Sequence, residues 1–250
     1  MTASAAGDRG DRPFLRIAVI DSGVNPRHRQ VGLVAPGVAI SARGARVGLS
    51  RDWTDAIGHG TAVAAAICEG LPPENWELLP VRVFLRRLSA PARCLAAGIS
   101  WAVREGAGLV NLSAGVRAGS DPEGESLLRR AAIASGEAGA TLIAPRRRGG
   151  DLLVPGALPR VRGLVGVVAD EQLERRQFRC RGRVITAAPW ARPLPPLPPQ
   201  KNFRGVSLAV AAVTNLAARL VLSGKSAPGP GLPDALREVV AGQPPGPAEP

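Results

Sequence analysis

The sequence predicts a three-layer α/β domain: a mostly parallel sheet with helices on both faces. Three observations predict it. The run LRIAVI (15–20) is apolar throughout and ends at Asp21-Ser22-Gly23, the pattern of a buried strand delivering an acid to its carboxyl end. Further strand-like runs alternate with segments of helical spacing, which argues for parallel pairing under helical crossovers. The 250 residues suffice for one large domain with its own core and are too few for two enzyme domains.

The elements follow in order. HGTAVAAAICEG (59–70) holds small residues without a breaker until Gly70 and reads as a tightly packed helix. ELLPVRVF (77–84) reads as a strand, and LAAGISWAVREG (95–106) as an amphipathic helix closed by glycine. GLVNLSAG (108–115) is a strand, 123–139 is helical, and TLIA (141–144) and LVGVVAD (164–170) are strands. RPLPPLPPQ (192–200) cannot donate at its prolines and is expected as an extended surface connection. SLAVAAVTNLAARLVLSG (207–224) is a strong helix, expected to be capped by Ser207. Residues 1–13 are expected as a flexible N-terminal tail, 14–222 as the domain, and 223–250 as a Pro/Gly-rich tail bracketing a short helix.

Composition narrows the partners. Hydrophobic residues at 45% and charged residues at 21% are ordinary globular usage, and no apolar run reaches the roughly 18 residues of a membrane span. The polar start MTASAAGDRGDRP does not resemble an export signal, so a cytoplasmic protein, mature as synthesised, is expected. Cys68, Cys94 and Cys180 are an odd number at spacings that match no metal pattern, as reduced thiols would be. The net charge of +12 raises nucleic acid or acidic peptides as partners, but the arginines are scattered and the chain has no tyrosine to stack on bases. A peptide or protein partner is expected instead, and neither nucleic acid nor membrane.

A serine hydroxyl becomes nucleophilic when a base takes its proton and a carboxylate orients that base. Asp21 in IAVIDSG, His59 in GHGTAVAAAI and Ser207 in GVSLAVAAV supply one residue for each role. Each also has a plain structural reading: Asp21 as a turn former, Ser207 as a helix cap. Their conjunction, in the chain order Asp, His, Ser, is what points to catalysis.

The segment around Asp21 resembles the aspartate motif of the subtilisin-like serine peptidases, the subtilase family, and HGTAVAAAI resembles their His-Gly-Thr helix start. LPPENWELLPVRVF and GISWAVREGAGLVNLSAGV resemble the family's stretch up to the substrate-binding strand, so the likeness covers about residues 14–222. The resemblance implies the subtilisin-like fold and a catalytic triad of Asp21, His59 and Ser207. It also implies that the backbone of Ser113, Ala114 and Gly115 pairs with an extended peptide substrate.

The likeness has gaps. Family members stabilise the reaction's oxyanion with an asparagine side chain, where this chain has TLIAPRRRGG (141–150). The remaining donors are the Ser207 amide, a guanidinium of Arg146, Arg147 or Arg148, and the amide of Asn202. Val206 replaces a threonine and Ala211 a proline around the nucleophile. No propeptide or calcium loop resembles those of secreted members, so metal-independent folding and no cofactor are expected. The expected function is a specialised intracellular processing endopeptidase working through an acyl-enzyme. The alternative is a degenerate peptidase that binds peptides with little or no turnover.

Overall fold

The computed structural model describes residues 14–44 and 46–243; the expected N-terminal tail 1–13 and the end of the C-terminal tail, 244–250, lie outside the described residues. Its nine-stranded sheet contains β1 (Leu15–Asp21), β2 (Val38–Arg43), β3 (Arg46–Ser50), β4 (Trp76–Arg82), β5 (Leu109–Leu112), β7 (Thr141–Pro145), β10 (Leu164–Ala169), β11 (Phe178–Arg181) and β12 (Val184–Ala187). The spatial order is β11-β12-β10-β7-β5-β1-β4-β2-β3. Seven central strands run parallel, and the edge strands β11 and β3 pair antiparallel with their neighbours. The short strands β6 (Val116–Arg117), β8 (Arg147–Arg148) and β9 (Asp151–Val154) form a separate three-stranded ribbon.

Helices cover both faces, as expected for strands apolar on both sides. α1 (His59–Cys68), α4 (Val206–Leu222) and α5 (Leu232–Ala241) bury one apolar cluster with Ile17, Val19 and Ile143 of the sheet. α2 (Ala92–Arg104) and α3 (Pro122–Glu137) bury the other, with Ala18, Ile20 and Val110. β1 lies between β4 and β5, where the chain crosses from one half of the sheet to the other. Such a switch point opens a crevice at the carboxyl ends of the strands, and Asp21 is the last residue of β1.

Several expectations shift. β5 stops at Leu112: the Ser113 amide still donates to the Ile20 carbonyl at 3.2 Å, and the chain then peels away to pair with β9 through β6. Ser207 does not cap α4. Gly205 does, with φ 134°, a conformation that suits glycine, and Ser207 sits inside the first turn. Segment 192–200 is irregular and leads into a 3₁₀ turn (Pro199–Lys201); Arg29 and Gln30 donate to its Pro195 and Pro193 carbonyls. The packed unit also extends past residue 222, because α5 buries Leu232, Leu236 and Val240 in the α1/α4 cluster. Among the described residues, no helix is long and apolar enough to cross a membrane.

Candidate active site

β1 and α1 meet at the sheet's carboxyl edge. Asp21, fully buried, faces His59, the first residue of α1, and His59 Nδ1 lies 2.8 Å from Asp21 Oδ1 and 2.9 Å from Oδ2. The Ser22 amide donates to Asp21 Oδ1 at 2.6 Å. Such contacts are possible because Gly60 has no side chain: a Cβ there would come within 2.1 Å of the Gly23 carbonyl oxygen and 3.2 Å of Asp21. This close approach explains the small residue after the histidine. Burial alone would depress the basicity of His59, but the Asp21 hydrogen bond and charge, with the charge of Asp55, outweigh it and hold the pKa above its ordinary value.

Asp55 organises the turn before α1, and sequence reasoning missed it. Its Oδ1 accepts from the Ile57 and Gly58 amides and the Ser22 hydroxyl, and its Oδ2 from the Thr61 amide and hydroxyl. The Ser22 hydroxyl in turn accepts from the Gly60 amide at 2.8 Å. One carboxylate thus takes the Thr61 amide of the helix and the two amides before it, and ties the Asp21-Ser22 strand end to the His59 helix start. Burial would raise the Asp55 pKa, yet the Thr61 hydroxyl and the three amides together lower it. The signal in the sequence is an acid shortly before a helix start, in DWTDAIGHG.

α4 carries Ser207 to the same edge. Its hydroxyl donates to the Ser113 carbonyl at 3.0 Å, and among the described residues no hydrogen bond joins it to His59. A buried chain fixes the two elements behind it: Thr214 of α4 donates to Asn111 Oδ1 at 3.0 Å, and Asn111 Nδ2 reaches the Ser113 hydroxyl at 3.3 Å. Phe203 sets its ring edge-on to the His59 imidazole, with centroids 5.4 Å apart.

His59, Ser207, Ser113, Ala114 and Gly115 all line one cleft of about 590 Å³, which the structure brings together from three parts of the chain. Arg147 and Arg148 line it too, from β8. Arg146 does not: it faces a different concavity of about 960 Å³ and donates to the Ala157 carbonyl. Asn202 is also turned elsewhere, its amide donating to the Arg192 carbonyl at 3.0 Å. Two of the four side chains that could replace the missing asparagine are therefore out of position. Among the described residues, no group of three or more His, Cys, Asp or Glu could hold a metal ion.

Solved structures with the same architecture include Sphericase, with a TM-score of 0.66 at 20% identity over 90% of this chain and 83% of that one. Prenylagaramide maturation protease PagA gives 0.63 at 22% identity, over 93% of this chain and 84% of that one. A cold adapted subtilisin-like serine proteinase gives 0.61 at 19%, over 90% and 82%. No family model and no curated protein sequence matches the chain. The mostly parallel sheet and these neighbours define its class: the chain has the subtilisin-like fold of serine proteases.

Proposed function

We propose that this protein is a serine endopeptidase that cleaves peptide bonds through an acyl-enzyme, with Asp21, His59 and Ser207 as its triad. One observation carries the reading: a buried carboxylate holds Nδ1 of a histidine whose ring lines the cleft that Ser207 also lines. The Asp21 carboxylate accepts a hydrogen bond from Nδ1–H, which keeps the proton on Nδ1 and leaves Nε2 free as the base. Rotation of the Ser207 hydroxyl off the Ser113 carbonyl lets it pass its proton to Nε2 as Oγ attacks the substrate carbonyl carbon. The oxyanion formed then lies at the amino end of α4, near the Ser207 amide, with a guanidinium of Arg147 or Arg148 as second donor. His59 next gives the proton to the leaving amine, and water releases the acyl group by the same steps in reverse.

The substrate is a peptide or protein laid as a strand along the backbone of Ser113, Ala114 and Gly115. A processing role goes with this reading, and the likeness of fold to a maturation protease supports it. The free thiols of Cys68, Cys94 and Cys180 support a cytoplasmic setting. The test is labelling with a serine-directed fluorophosphonate, which should modify the wild type at Ser207 and spare Ser207→Ala, with peptide hydrolysis lost in parallel. Equal labelling of both proteins removes the reading.

A further inference from the structure

The cleft has an uneven charge. None of its lining residues is a carboxylate, whereas Arg147, Arg148 and Arg204 all line it. Arg147 and Arg148 belong to β8, beyond the carboxyl end of β7; Arg204 stands just before the Gly205-Val206-Ser207 turn. All three are exposed, and none joins an ion pair among the described residues. Arg147 donates to the Gly150 carbonyl at 3.0 Å, which fixes one arm of its fork and leaves the other donors open.

The order of the strands sorts the lining. Phe84, Leu88 and Leu95 form an apolar end on the β4 and α2 side, Ser113 to Gly115 lie in the middle beyond β5, Arg147 and Arg148 lie on the β7 side, and Arg204 enters from the segment before α4. Three like charges around one cleft raise its positive potential, and low-dielectric walls focus that field on whatever enters. A planar guanidinium matches a carboxylate in shape as well as in charge. A basic side chain entering the same space would add a further like charge.

We infer that the cleft selects peptides carrying Asp or Glu beside the scissile bond, read by the guanidiniums of Arg147, Arg148 and Arg204. The inference rests on the peptidase reading and names the substrate class of that site. Arg147 and Arg148 can serve the oxyanion as well. A loss of turnover common to all substrates is therefore uninformative, and the ratio between substrates is the quantity to read.

The test uses quenched fluorescent peptides that differ only in Glu, Gln or Lys at each position flanking the cleaved bond. On the wild type, kcat/KM should favour Glu over Gln by about tenfold at one position or more, with Lys lower still. The Glu-to-Lys ratio should shrink as salt rises and should fall or invert in Arg147→Glu, Arg148→Glu or Arg204→Glu. Values for Glu, Gln and Lys within about twofold at every position would overturn the inference, as would a ratio unmoved by all three reversals. Fluorescence anisotropy of the same peptides bound to Ser207→Ala separates the two readings. If the wild type cleaves none of them, tighter binding of the Glu peptides keeps the cleft's selectivity and discards hydrolysis, whereas equal binding of Glu and Lys peptides discards the selectivity itself.

Discussion

Replacing Asp55 removes a single carboxylate from the turn that joins both halves of the proposed charge pair. In Asp55→Ala five hydrogen bonds disappear together: from the Ile57, Gly58 and Thr61 amides and from the Ser22 and Thr61 hydroxyls. Losing the side-chain acceptor of a helix's first-turn amide costs about 1–2 kcal/mol, as the loss of a cap does. The two hydroxyls belong to buried residues, and leaving each without its charged acceptor adds about 1–1.5 kcal/mol, the low end of the range because Asp55 itself is half-buried and water can reach the gap. The expected loss is therefore about 3–5 kcal/mol, a large share of the 5–15 kcal/mol typical of a domain, and lowers Tm by roughly 6–20 °C at this size. Asp55→Asn keeps one acceptor oxygen and should cost about half as much. Urea denaturation followed by circular dichroism measures both. A loss in Asp55→Ala no larger than the roughly 0.5 kcal/mol of an ordinary surface change would refute the argument that this carboxylate holds the turn. The pH dependence gives a second check. The folded Asp55 pKa lies below its ordinary 3.8, so its contribution is present above that value and is lost as pH falls through the lower folded one. Asp55→Asn should show a shallower loss of stability in acid.

His59 has its pKa raised above 6.5, so the stabilisation from its protonated form is present below 6.5 and disappears as pH rises through the raised value. Catalysis needs the neutral ring, so the acid limb of kcat/KM should have its midpoint above 6.5, and Asp55→Asn should move it down by removing a charge that raises it. Proton NMR of the imidazoles reads the same shift directly, since His28 is the only other histidine. Leu236→Ala, in the segment expected as a tail, should cost about 2–5 kcal/mol in urea titrations because Leu236 is fully buried; a loss near zero would mean that α5 is not part of the packed unit.

What the sequence discloses follows from how local each signal is. Asp21 and His59 stand at a strand end and a helix start whose flanking residues mark those boundaries, so their places in the fold are readable locally, whereas the roles proposed for them rest on the conjunction with Ser207. Ser207 is expected as a cap and is not one: Ser before an apolar helix looks like a cap, and only the Gly205 backbone at φ 134° shows that the helix begins earlier. Asp55 escapes notice because its five donors are spread from residue 22 to residue 61 and meet only in space. The β2–β3 and β11–β12 hairpins turn at Gly44 and Gly182, both at φ 58°, and an Arg-Gly pair between short strands is a weak turn signal. Arg146, Arg147 and Arg148 are indistinguishable as letters. They separate only once β7 ends at Pro145 and β8 turns back along β9, which sends Arg146 to another concavity and the next two into the cleft.

That separation gives the cleft an electrostatic order suited to the charges the proposed reaction creates. When Ser207 gives up its proton, positive charge appears on the His59 ring and negative charge on the oxygen of the attacked carbonyl. Asp21, against Nδ1, and Asp55, whose charge also raises the His59 pKa, lie on the acidic side of the ring. The cleft side has the amino end of α4 and the guanidiniums of Arg147, Arg148 and Arg204, with no carboxylate among them. Charges of the right sign beside each developing charge lower the barrier, which is how electrostatic catalysis gains over water. Under the proposed mechanism, it would also give a chain without the usual asparagine a field of the right sign at the oxyanion. The cost falls on specificity: a field positive enough to hold a transient anion disfavours a basic side chain in the same cleft. On the proposed reading, tolerance of the missing amide and selection of acidic substrates would both follow from one charge arrangement.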